Sequence, residues 1–299
     1  MESENISLEF SIFHFQFSIM MLGDYRIEII PDTEFRLDGG AMFGVVPRVL
    51  WERVCPADEL NRITLNMNCL FVETDKERIL IETGIGEKWT EKETAIHGIF
   101  RKKPFADSLF EVTGCRLEDI TIVVNTHLHF DHAGGNTVGT RAASLLPQFP
   151  NARYLVSKSE YHHAENPHER DRASYLPENW QPLVESRQLE LKPDAYEIVE
   201  GLHIEQVRGH SETMQTVKLT RGGETLYGFY DMIPTQHHLS LPWIMSYDLY
   251  PVETLEFKKR ILPQAFAENW ICHFYHDTET PLCRLAEING KLKAVGIEM

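Results

Sequence analysis

Three imidazoles and a carboxylate fall within six residues in the run Thr126-His127-Leu128-His129-Phe130-Asp131-His132. Such a run is poor core material, because a neutral imidazole still needs hydrogen-bond partners and a buried carboxylate needs a countercharge. It suits a metal ion, since His and Asp supply the nitrogen and oxygen donors that zinc-class ions take. The alternative is a solvated, His-rich loop. One loop rarely completes such a site, so further donors are sought where the chain leaves a predicted strand. His210 lies in Arg208-Gly209-His210-Ser211, Asp231 follows Leu226–Tyr230, and His276 lies in Phe274-Tyr275-His276-Asp277. Each alone would more often cap a turn or sit on the surface. Together with the cluster they form a donor set at one topological position.

The elements that must carry these residues are legible in the hydrophobic patterning. Tyr25–Ile30 alternates, and Ile63–Glu73 with Arg78–Glu82 predicts a hairpin across Thr74-Asp75-Lys76. Ile120–Val124 reads as a strand buried on both faces, so the His cluster sits at its C-terminal end, where α/β proteins place their chemistry. Gly134-Gly135-Asn136 then breaks the chain ahead of a predicted helix. Ala152–Val156 predicts a strand and Lys158–Glu165 a helix, and residues 166–182 form a polar, Pro-punctuated excursion over the site. Leu202–Val207, Met214–Thr220 and Thr225–Tyr230 predict successive strands, Val252–Glu268 a helix and Trp270–Phe274 a strand. Cys283–Ile288 and Lys291–Ile297 predict a terminal hairpin, with a type I′ turn at Asn289-Gly290. The fold class expected is α+β, with two sheets packed face to face and helices outside.

The chain has 299 residues and can bury a sizeable core. Its net charge of −16 argues against a nucleic-acid partner, which would need a basic face. A small-molecule substrate remains the expected partner. Five cysteines without a CxxC predict reduced, mostly buried thiols in a cytoplasm. Residues 12–20 are aromatic-rich but lack the positive start of a secretory signal and the length of a membrane span. Residues 1–21 therefore read as an extension, either an extra edge strand or, preferably, an over-long start with Met20 or Met21 as the natural first residue. Residues 22–299 read as one domain.

On these residues the chain resembles the metallo-β-lactamase-fold hydrolases. The resemblance implies an αβ/βα sandwich of two mixed β-sheets flanked by helices. It implies two divalent ions per chain, zinc first, with cobalt, manganese or iron as alternatives. His127, His129 and His210 would hold one ion, Asp131, His132 and His276 the other, and Asp231 would bridge them. His273 rivals His276, but it lies within its strand and alternates away, so His276 is preferred. A carboxylate at Asp231 resembles the lactonase, glyoxalase II and nuclease branches and not the thiolate-bearing β-lactamases.

Residues 37–47 and Ile81-Glu82-Thr83-Gly84-Ile85-Gly86 further resemble the quorum-quenching N-acyl-homoserine lactonases and the related methyl parathion hydrolases, and the Gly-rich 38–44 stretch would be a loop whose Met42 and Phe43 face an acyl chain, or else a turn with buried side chains. Glu82 stands where that motif often has Asp, and the Tyr that some lactonases carry shortly after the bridging Asp is missing here. His238 is a stand-in for it, although a structural hydrogen bond fits that residue better. The implied reaction is attack of a metal-bridging hydroxide on the lactone carbonyl, with Asp131 as ligand and proton carrier. Candidate pocket walls are Met42, Phe43, Phe105, Trp180, His238 and Trp243, each of which ordinary core packing would equally explain. Phosphotriester hydrolysis is the alternative, then a glyoxalase II-like thioesterase. Asp277 either orients an imidazole or caps a turn, His162, His163 and His168 are expected to be solvated, and a homodimer is possible by resemblance.

Overall fold

The apolar runs Ile79-Leu80-Ile81, Ile122-Val123-Val124 and Tyr154-Leu155-Val156 are buried almost to the last atom. They do not alternate, because each is covered on both faces, as parallel strands between layers are. In the computed structural model, which describes residues 20–141 and 144–297, they belong to the strands Arg78–Ile81, Ile122–Val124 and Arg153–Ser157, paired in parallel. Leu189–Lys192 extends this parallel set at one edge. On the other side the sheet continues antiparallel through Asn68–Glu73, Tyr25–Pro31 and Met20–Leu22.

A second seven-stranded sheet runs in the order Ala195–Val199, Leu202–Gln206, Gln215–Arg221, Glu224–Gly228, Ile271–His273, Leu282–Ile288 and Lys291–Gly296. Only Glu224–Gly228 and Ile271–His273 pair in parallel. Both sheets are therefore mixed, and their inner faces meet in one core that contains Leu70, Ile81, Val217, Leu226 and Phe274. Outside them, helix Phe105–Thr113 packs on Tyr25–Pro31 and helix Pro251–Ala267 packs on Leu282–Ile288. This is the pair of face-to-face sheets with outer helices that the patterning predicts, and the αβ/βα sandwich that the resemblance implies.

Four local expectations change. Ile63–Glu73 is not one strand: Arg62–Leu65 pairs with Phe35–Asp38 in a separate two-stranded sheet, and only Asn68–Glu73 joins the hairpin. The break at Asn66 frees a carbonyl that His276 Nδ1 uses at 2.9 Å. Gly134–Asn136 leads not into a helix but into the strands Thr137–Gly139 and Leu145–Pro147, in keeping with the β-branched Thr137-Val138. The Gly-rich 38–44 stretch is a one-turn helix, Gly39–Phe43, capped by the Asp38 side chain on the Ala41 amide at 2.8 Å. His163 is not solvated, since its Nε2 pairs with Asp171 Oδ2 at 2.8 Å; His162 and His168 are exposed.

The terminal hairpin turns through Asn289 at φ 52° and Gly290 at φ 71°, the two positive angles a type I′ turn requires. All five cysteines carry free thiols, four of them buried. The expectation for residues 1–21 concerns a segment lying almost wholly outside the described residues. No helix among the described residues is long and apolar enough to cross a membrane.

Candidate metal centre and substrate cavity

The C-terminal ends of the parallel strands in both sheets converge on one point. From the first sheet, Arg78–Ile81 leads to Glu82 and Ile122–Val124 leads to the 126–132 run. From the second, Glu224–Gly228 leads to Asp231 and Ile271–His273 leads to His276. His210 arrives from the connection between Leu202–Gln206 and Gln215–Arg221. Asn68 ties the sheets together beside this point, its amide side chain donating to the carbonyls of Tyr275 at 2.9 Å and Asp277 at 2.8 Å. Gly84, at φ +74°, lets the chain pass Asp32, where a Cβ would lie 2.2 Å from the carboxylate.

The donor atoms of His127, His129, His210 and Asp231 lie within 4.8 Å of one another, as do those of Asp131, His132 and His276. Asp231 belongs to both neighbourhoods. Its Oδ2 faces His210 Nε2 at 3.3 Å and His127 Nε2 at 3.8 Å. Its Oδ1 faces the Nε2 atoms of His132 and His276, each at 3.2 Å. Asp131 Oδ2 completes the second group, 3.6 Å from His276 Nε2. Every sequence-predicted donor is thus brought into one cluster, and His273 is kept out of it by donating to the Asn68 carbonyl at 2.9 Å.

Three of the five imidazoles, those of His127, His210 and His276, are aimed by a hydrogen bond at the far nitrogen. His210 Nδ1 donates to Asp248 Oδ1 at 3.0 Å and His276 Nδ1 to the Asn66 carbonyl. His127 Nδ1 meets Thr126 Oγ1 at 3.1 Å, and that hydroxyl in turn donates to Glu82. Glu82 Oε1 lies 3.6 Å from His132 Nδ1. Such outer partners fix ring orientation and tautomer at metal sites. Asp248 and Asn66 are not apparent from the sequence, because no spacing rule connects them to the residues they orient, and Thr126 stands in the run without its type marking the role. Glu82 shows only as a departure from a motif. Asp277 caps a turn through the amides of Gln236, Glu279 and Thr280.

The forward-facing atoms His127 Nε2, His132 Nε2 and Asp231 Oδ1 are buried without a hydrogen-bond partner among the described residues. Buried polar atoms left unpaired are costly, and an ion is one of the few explanations for several at once. Burial and neighbouring imidazoles hold His127 and His129 well below the usual histidine range, so both present neutral lone pairs. Burial opposes the charge on Asp231, but His132, His210 and His276 around it keep its carboxyl ionised well below the usual range. His127, His129 and Asp231 thus offer neutral nitrogens and an anionic oxygen, the kinds of donor a divalent cation takes.

The cluster forms the floor of a cavity of about 560 Å³, a size typical of small-molecule sites. Its walls include Leu37, Met42, Leu176 and Met245 on apolar sides, with Trp89, His97 and Phe130 packed together on another. Arg170, Ser246 and Tyr247 stand at the polar rim. Of the predicted walls only Met42 lines this cavity. Phe43 is turned into the core, stacked between Trp51 and His238. His238 is held by Thr235 and by the Met42 carbonyl at 2.9 Å, so it is a structural hydrogen-bonding residue. Phe105 packs edge-on against Phe149, Trp180 against Tyr175, and Trp243 against the back of Phe43. The sequence identified these as large apolar groups but could not say which side of their elements faces the cavity.

The sequence model of the metallo-beta-lactamase superfamily matches residues 63–223, just over half of the chain. An N-acyl homoserine lactonase of Bacillus cereus is 29% identical over 166 residues, covering 52% of this chain and 59% of that protein. The chain thus spans little more than half the length of that relative. A second N-acyl homoserine lactonase, from a Bacillus species, is 27% identical over 50% of the chain and 56% of its own length. Among solved structures, a probable metal-dependent hydrolase from Staphylococcus aureus superposes with a TM-score of 0.85 at 29% identity, over 93% of this chain and 99% of that one. A dizinc quorum-quenching lactonase superposes with a TM-score of 0.76 at 19% identity, over 94% and 97% of the two chains. This last likeness is one of fold.

Proposed function

The chain belongs to the metallo-beta-lactamase superfamily of metal-dependent hydrolases, and from that membership we propose that it opens the ring of N-acyl-homoserine lactones. The observation that carries the reading is the divided Asp231 carboxylate, one oxygen toward His127 and His210 and the other toward His132 and His276. A carboxylate so shared suits two cations side by side. His127, His129 and His210 would hold one, and Asp131, His132 and His276 the other, with zinc the expected ion. When bound, the pair would supply an activated water and Lewis-acid polarisation of the scissile carbonyl.

The protein's own residues do the rest. Asp131, 6% exposed on the cavity floor, carries a proton to the departing ring oxygen. Leu37, Met42, Leu176 and Met245 offer an acyl chain apolar surface while keeping bulk water from the floor. The similarity to N-acyl homoserine lactonases supports this substrate class.

The test is proton release from a C4-to-C12 N-acyl-homoserine lactone series, using protein of measured metal content. Ring opening with about two ions per chain is expected. Full metal loading with no ring opening would overturn the lactonase reading and move the assignment to phosphotriesters, then thioesters.

A further inference from the structure

An N-acyl lactone differs from a simple lactone by one amide, and that amide must enter a largely apolar cavity. A buried carbonyl without a donor costs free energy, so a site that prefers the amide has to present one. Several of the donors that line the cavity are already engaged. Trp89 Nε1 donates to the Ile85 carbonyl at 2.8 Å, Arg170 donates to the Ser246 carbonyl, and the Ser246 amide donates to the Ala41 carbonyl at 2.7 Å. The His97 ring is packed between Trp89 and Phe130. The hydroxyls of Tyr247, Ser174 and Ser246 have no hydrogen-bond partner among the described residues, and of the three the phenol reaches furthest from its backbone.

Tyr247 is also firmly mounted. On one side the Ser246 amide is tied to the helix that carries Met42. On the other, Asp248 is bonded to His210 and to Thr254 Oγ1 at 2.7 Å. The backbone at Tyr247 therefore keeps a fixed relation both to the floor of the site and to its apolar wall. Partial burial, with the Asp38 and Asp131 carboxylates nearby, pushes the phenol up to about 12, so it remains a donor and does not act as a base. Tyr247 is 39% exposed whereas His132 is fully buried and Asp131 is 6% exposed. A ring bound on the floor would leave its acyl arm pointing toward the rim, where the phenol stands.

Resting on the lactonase reading, we propose that Tyr247 is the specificity-determining residue for N-acylated lactones, donating a hydrogen bond to the amide carbonyl of the acyl arm. The test compares Tyr247→Phe with the unaltered protein on N-hexanoyl homoserine lactone and on a γ-alkyl lactone of similar length that lacks the amide. The preference for the N-acyl lactone in kcat/KM is expected to fall about tenfold, carried by KM, with metal content and melting temperature unchanged. An unchanged preference, or a loss carried equally by both substrates, would overturn the assignment while leaving the lactonase reading intact. If the unaltered, metal-loaded protein opens neither lactone, the reading itself fails and the inference falls with it.

Discussion

His210 Nδ1 donates to Asp248 Oδ1 at 3.0 Å, and the other oxygen of the same carboxylate accepts from Thr254 Oγ1. The bond leaves His210 Nε2 facing Asp231 and His129, and it links the cluster to the segment that bears Tyr247. Replacing Asp248 with Ala frees the ring to rotate and removes the acceptor that raises the basicity of its forward nitrogen. Such outer-partner losses weaken metal binding by about 10- to 100-fold. Competition with a chelator of known affinity measures this directly, and unchanged affinity would mean that packing alone orients His210.

Glu82 is fully buried, sits at φ +66°, and accepts from the Thr126 amide at 3.0 Å and from the Thr126 hydroxyl. Its Oε1 also faces His132. Glu82→Gln keeps the shape and an oxygen for Thr126 but removes the charge, and its amide nitrogen cannot accept from Asn125 Nδ2, which donates to the second Glu82 oxygen at 3.4 Å. A buried donor left unpaired costs about 1–3 kcal/mol. The expected outcome is a lower urea midpoint together with loss of the more weakly held ion in elemental analysis. Full metal content in the variant would show that His132 needs no anionic partner.

The contrast between these two carboxylates shows what the sequence made legible. The donors at 127–132 cluster in sequence, and His210, Asp231 and His276 each follow a strand, so the pattern placed them at strand ends, and the packing of the two sheets brings those ends together. The buried β-branched runs revealed the parallel strands for the same reason. Asp248 gave no such sign, because its partner is 38 residues away and the segment between them is set by tertiary packing. Phe43 and Met42 are adjacent residues of one helical turn, yet only Met42 faces the cavity. Which side faces in depends on how Gly39–Phe43 docks, which no pattern of five residues encodes. Ser246-Tyr247 stayed invisible for the same reason.

The polar excursion after residue 165 is held to helix Lys158–Glu165 by the His163–Asp171 pair. The hydrogen bond and charge of Asp171 raise His163 above its ordinary value, outweighing its burial. A histidine raised in the folded state stabilises fully below its unfolded pKa of about 6.5, and the contribution is lost as pH rises through the folded value. The melting-temperature gap between the unaltered protein and His163→Gln should therefore be widest near pH 6 and narrow toward pH 8.5. A gap independent of pH would show that the pair contributes through neutral packing alone.

Lys258 lies fully buried on helix Pro251–Ala267 and donates to the carbonyls of Ser240 at 2.7 Å, Leu241 at 3.2 Å and Trp243 at 2.8 Å. These carbonyls precede the segment that carries Met245 and Tyr247 into the cavity wall and Asp248 onto His210. Lys258→Met fills much of the same volume but leaves the carbonyls without a donor. The expected cost in urea unfolding is about 2–4 kcal/mol, because water must enter or the segment must shift to satisfy them. A shifted segment would also carry Tyr247 away from the rim and loosen Asp248. The variant should then show a raised KM for N-acyl lactones and weaker metal retention under a chelator, both at temperatures well below its melting point. A stability loss with unaltered KM and metal retention would show that the tie at 240–243 holds the fold without positioning the site.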